Sequence, residues 1–201
     1  MTSYTSAWNL TLKQSSEFLL SDHFKKRVVE EDETMIKMIP MLSKINLLGY
    51  LTTNSQQGRI EKFSRQNKLH TMKERSYVVG LMLKSLAKKF IKDMNVMTDK
   101  CAIYVPIISE KCPIVSFRDL DIPLTIVKTG RNQPVIATHM STIIPYDVVL
   151  QESEHVLSNT NLIKSNKIVY IFCWDPIWGR EAGEKNGLFK NIINILKKYK
   201  K

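Results

Sequence analysis

The chain has 201 residues but only three cysteines, seven glycines and seven prolines, and each shortage excludes something. An odd cysteine count cannot complete a disulfide framework. Cys101, Cys112 and Cys173 form no C-x-x-C and lie in or beside apolar segments, so they read as small buried hydrophobes. No glycine precedes Gly49, and neither a P-loop nor a dinucleotide glycine pattern occurs. P-loop ATPase and Rossmann oxidoreductase chemistry are thereby excluded. His23, His70, His139 and His155 are scattered without metal-ligand spacing, so no metal and no cofactor is expected. No apolar run reaches the ~18 residues of a membrane span. The first residues, MTSYTSAWNLTLKQ, lack the basic start and apolar block of a signal peptide. The expectation is a soluble, cytoplasmic protein with no membrane partner.

A hydrophobic fraction of 43% supports a real core, and a charged fraction of 24% is ordinary for a globular domain. The net charge is +11, carried by 23 lysines and only 7 arginines. Sequence-reading nucleic-acid proteins enrich arginine for bidentate and stacking contacts. The lysine excess accompanies many Asn and Ile, as in translation of an AT-rich genome, so part of the basicity is compositional. What charge remains favours weak, salt-sensitive attraction to polyanions.

Along the chain, Trp8, Leu12 and Leu19 share one face of a helix over 5–20, interrupted by Ser15 and Ser16. Residues 21–34 are charged and read as a solvated connection, acidic just before a second helix over 33–47. Pro40 either kinks that helix or sits in the first turn of one starting near Ile39. Gly49 caps its end, and Tyr50-Leu51-Thr52 is a short strand. Residues 53–74 read as a long polar, basic loop, of a length that is often functional. A β-rich run over 75–84, with Gly80 inside it, feeds a helix over 85–94. Strands are predicted at 102–108, 114–117, 123–128, 135–139 and 168–174, with a turn at Gly130-Arg131-Asn132. The amphipathic end, Leu188–Tyr199, is a packing helix. The fold class is α/β or α+β: one domain, a mixed central sheet, N-terminal helices and a C-terminal packing helix. Residues 1–32 form the N-terminal helix and charged connection, and 33–201 the main body.

Read in order, Trp8, Glu33-Thr34, Asn46, Gly49, Thr52-Thr53-Asn54-Ser55-Gln56, Glu74-Arg75 and Asp175-Pro176-Ile177-Trp178-Gly179-Arg180 form a pattern spanning most of the chain. That pattern resembles a family of small α/β proteins of actinobacteria and large DNA viruses. Gln57 stands where the family pattern has proline after Ser-Gln, which bears on the rigidity of the loop. The family carries no assigned activity. The resemblance therefore implies a fold, a site and a viral setting (host cytosol or virion) rather than a reaction.

Chemically, Ser55 offers one donor and two acceptors, Gln56 and Asn54 offer both kinds, and Thr52 adds a hydroxyl. Such a set grips an amide, a base edge, a ribose or a phosphate oxygen; equally, it can tie down its own turn. Asp175–Arg180 follows the most apolar strand, where ligands gather in open α/β sheets. There Asp175 has the chemistry of a general acid or base and Arg180 that of an anion clamp. The same residues also suit a structural corner in which Arg180 pairs with Asp175. If the two loops converge, Ser55, Gln56, Arg75, Asp175, Trp178 and Arg180 enclose one pocket for a small polar or nucleotide-like ligand. Ser55 lacks a nucleophile elbow, which leaves Ser55–His139–Asp175 as a weak catalytic candidate. The alternative is a non-enzymatic, nucleic-acid- or virion-associated protein whose footprint is Arg59, Lys62, Arg65, Lys68 and Lys73. No helix-turn-helix, zinc-finger or RNA-recognition signature accompanies that footprint.

Overall fold

Two near-continuous apolar runs, YVVGLML and IVYIFCW, become the central strands of a sheet buried on both faces. A computed structural model describes residues 4–96, 101–106, 124–129, 136–137, 151, 157 and 167–200. Its elements are α1 (Tyr4–Leu20), α2 (Asp22–Asp32), a 3₁₀ segment (Glu33–Met38), α3 (Ile39–Leu47), β1 (Tyr50–Gln56), β2 (Arg59–Arg65), β3 (Lys68–Glu74), β4 (Tyr77–Leu83) and α4 (Lys84–Val96). They continue with β5 (Cys101–Pro106), β6 (Thr125–Thr129), β7 (Ile136–Ala137), β8 (Ile168–Trp174) and α5 (Leu188–Tyr199). The strands form two four-stranded antiparallel sheets, ordered β1-β4-β8-β5 and β2-β3-β6-β7. Helices at both ends of the chain pack on the first sheet, giving a single α+β domain. No described helix is long and apolar enough to cross a membrane.

Side chains of a strand alternate between faces, and here each set finds its own core. Val78, Met82, Val169, Ile171 and Cys173 pack against α3, α4 and α5. Tyr77, Val79, Leu81, Tyr170, Phe172 and Trp174 pack on the other face with Trp8, Leu12, Leu124 and Leu157. On α5, Leu188, Ile192, Ile195 and Leu196 are buried as their spacing predicts, together with Phe189 and Ile193. Each such side chain stabilises the fold by about 1.5–3 kcal/mol on full burial. Gly80 lies opposite a bulge in β1 between Thr52 and Asn54. A Cβ there would stand 2.0 Å from the Leu51 carbonyl oxygen, so the bulged strand closes over it.

Two expectations are corrected. Residues 21–34 are no connection: they form α2 and the 3₁₀ segment. Ser21 caps α2, its hydroxyl accepting the Phe24 N–H at 3.2 Å, with Asp22 in the first turn. Nor is 53–74 a loop. β1 runs on to Gln56, and β2 and β3 form a hairpin whose turn residues Gln66 and Asn67 have φ of 51° and 56°. Positive φ at both central residues matches the strand twist of a two-residue hairpin. Pairing of β3 with β6 anchors this polar ribbon. Pro40 falls in the first turn of α3, which starts at Ile39, the second of the two arrangements its position allowed. The turn at 130–132, the strand at 114–117 and His139 lie outside the described residues.

Candidate functional site

Among the described residues β1 is a terminal strand, and an edge strand needs partners for its outward backbone groups. Asn46, fully buried at the end of α3, supplies one. Its Oδ1 accepts the Thr52 N–H at 2.8 Å and the Thr52 hydroxyl at 2.9 Å, while its Nδ2 donates to Ser15 Oγ at 3.1 Å. Ser16 and Ser43 hydroxyls meet at 2.6 Å beside it. The serines that interrupt the apolar stripe of α1 are thus a polar seam joining α1, α3 and β1. α1 passes the sheet edge and reaches both cores, Leu19 in one and Trp8 and Leu12 in the other.

Past this seam the helices and the strand separate into a cleft of about 890 Å³. Its helical wall is mostly apolar, with Phe18, Leu19, Phe24, Val28, Met35 and Leu42 among its members and Thr11, Gln14 and Ser15 as polar ones. Its strand wall is polar, made by every residue from Thr52 to Gln57. Arg27, Arg59 and Glu74 also line it, and Arg59 Nε donates to Glu74 Oε2 at 2.5 Å. The size falls within the range of ligand pockets, which combine mostly apolar walls with a few placed polar groups. Thr52, Asn54, Ser55 and Gln56 therefore share one cleft, on an extended strand facing helices rather than on a loop.

Asp175, Trp178 and Arg180 are neighbours of this cleft rather than part of its lining. In the register across β1, β4 and β8, Gln56, Tyr77 and Trp174 stand in one row, which puts both polar segments at the same end of the sheet. They meet through backbone: a Cβ on Gly58 would stand 2.2 Å from the Arg180 carbonyl oxygen, so only glycine permits that approach. Arg75 bridges them. Its carbonyl faces Gln56 Nε2 at 3.5 Å, its guanidinium donates to the Pro176 carbonyl, and it stacks 4.2 Å from the centre of the Trp178 ring. The Asp175 carboxylate is fully buried and occupied. Arg180 donates Nε to Oδ2 at 2.7 Å and Nη2 to Oδ1 at 2.5 Å, and the Ile177 N–H donates to Oδ1 at 3.0 Å. This is the geometry of a structural corner: a bidentate ion pair closing a turn.

The basic footprint divides. Paired strand positions place Arg59, Arg65 and Lys68 on one face of the β2–β3 hairpin and Lys62 and Lys73 on the other. Phe63 and His70 stack on each other, 5.1 Å apart and nearly parallel, so they hold the ribbon together. Among the described residues, no three His, Cys, Asp or Glu side chains cluster as metal ligands. Tyr50, buried behind the cleft, donates to the Val78 and Ile171 carbonyls at 3.0 Å. Burial, and then Cys173, push its hydroxyl well above the ordinary tyrosine range, so it stays protonated at neutral pH.

The α2 part of the helical wall escaped the sequence reading, although its signal was present: Ser21-Asp22 as a cap, then Phe24 and Val28 four residues apart. Compared with known proteins, the chain matches no protein-family model, and no curated protein matches it significantly.

Proposed function

We propose that this is a ligand-binding protein whose site is the cleft between the N-terminal helices and β1, and whose ligand is small, polar along one side and apolar or flat along the other. One observation carries the reading: a mostly apolar helical wall faces six consecutive polar residues across a cleft of about 890 Å³. Nucleotide-like molecules are one such class, with the base against Phe18 and Phe24 and polar edges on Asn54, Ser55 and Gln56. The Asp175–Arg180 turn contributes support, through Arg75 and Gly58, rather than contacts. Direct nucleic-acid or virion association through the β2–β3 hairpin gains less, because its five cations are split between two faces.

The test is a thermal-shift panel of nucleotides, nucleosides and amphiphilic carboxylates on the wild type and on the Ser55→Ala, Gln56→Ala double variant. The variant keeps the wild-type melting temperature without ligand and loses the ligand-induced rise. A variant that melts far lower by itself shows the segment to be structural and defeats the reading.

A further inference from the structure

The cleft follows the edge of a strand rather than its face. A pocket over one face of a strand is lined by every second residue, because side chains alternate. Here Thr52 through Gln57 all line it without a gap, and β1 has no strand on that side among the described residues. The outward direction of the backbone is marked at Thr52, whose N–H turns away from β4 to Asn46. The bulge at Thr53 shifts the register, and regular pairing with β4 resumes at Asn54, Ser55 and Gln56, leaving that stretch, with Gln57 just past the strand end, as the usable edge. Three of these four side chains, Asn54, Gln56 and Gln57, are carboxamides, which match a peptide group donor for acceptor.

Resting on the cleft as the ligand site, we infer that its occupant is an extended peptide segment added beside Asn54–Gln57 as a further strand. Main-chain hydrogen bonds hold it in register, and its alternate side chains enter the apolar wall of Phe18, Phe24, Val28 and Met35. The pattern recognised is therefore alternating apolar positions with no proline in the paired stretch.

The probe is a displayed library of random ten-residue peptides, selected on the full-length protein. Counter-selection uses Gln14→Trp and Ser55→Trp, which fill the cleft from opposite walls. Gln14 is exposed on α1 and lines the cleft, so its substitution leaves the fold intact. Selected peptides carry the alternating pattern, bind both tryptophan variants at least tenfold more weakly, and lose at least tenfold on N-methylation of alternate backbone amides but not of the intervening ones. Failure to enrich any peptide over the variants, or tolerance of N-methylation at every amide, overturns the inference. A nucleotide that stabilises the wild type but not the Ser55→Ala, Gln56→Ala variant, with no peptide selected, overturns it too while the cleft itself stands. If neither peptide nor small molecule binds, both readings fall.

Discussion

Two polar segments lie at the same end of the first sheet and use their polarity in opposite ways. Asp175–Arg180 turns its groups on itself. The carboxylate has no exposed surface, both its oxygens are taken by Arg180, and Arg75 covers Trp178. Thr52–Gln57 ties Thr52 to Asn46, with longer contacts from Asn54 to Tyr77 and from Gln56 to Arg75, and lines a cleft along its whole length. Equal richness in hydrogen-bonding groups thus does not identify a site. What separates the two is whether the partners of those groups lie within the same few residues. The turn closes on itself within five positions, whereas the strand meets helices encoded far upstream.

The largest expected effect breaks the closed half. Arg180→Ala strands a buried carboxylate, and removing one partner of a buried pair costs about 3–5 kcal/mol. Urea unfolding measures it, and a loss below ~1 kcal/mol would mean that water reaches Asp175. Asn46→Leu comes next. It leaves the Thr52 N–H and hydroxyl without their buried acceptor, for about 1–3 kcal/mol by the same measurement. Smaller still is Ser55→Ala with Gln56→Ala, expected to change stability by less than ~1 kcal/mol, since surface hydrogen bonds dominate the change. A large loss there would erase the contrast between the segments.

The smallest effect serves as a reference far from both. Asp93 on α4 is held below the ordinary carboxylate range by the Tyr199 hydroxyl and then by Lys198, whose Nζ lies 3.2 Å away. A lowered folded value means its contribution is complete above the ordinary range and is lost as pH falls through the lowered value. Asp93→Asn is therefore slightly less stable than wild type at neutral pH and converges with it in acid. The pair is solvent-screened, so pH-dependent melting should show only a small gap. A gap as large as that of Arg180→Ala would contradict the distinction between exposed and sealed ion pairs.

The elements legible in the sequence are those whose pattern is unmistakable within one segment. IVYIFCW is β8 from Ile168 to Trp174, and the final apolar stripe is α5 from Leu188 to Tyr199, both with the expected bounds. β2 and β3 were illegible because the ribbon is polar on both faces and its turn is Gln66-Asn67, without the glycine that usually announces such a hairpin. α2 was illegible because its charges outnumber Phe24 and Val28, which are only partly buried.

Sequence alone determined the polar character of Thr52–Gln57 and of Asp175–Arg180, the apolar strands that precede or follow them, and the helices at both ends. A composition of 43% hydrophobic residues arranged in periods of 2 and 3.6 allows little else. Only the tertiary structure decided that one segment seals itself and the other faces a cleft. That outcome depends on where α1 and α2 cross the edge of β1, and the contacts that fix the crossing, Ser15 with Asn46 and Ser16 with Ser43, join residues 31 and 27 positions apart. Local periodicity carries no information over such separations. The geometry is set by burying both faces of one sheet at once.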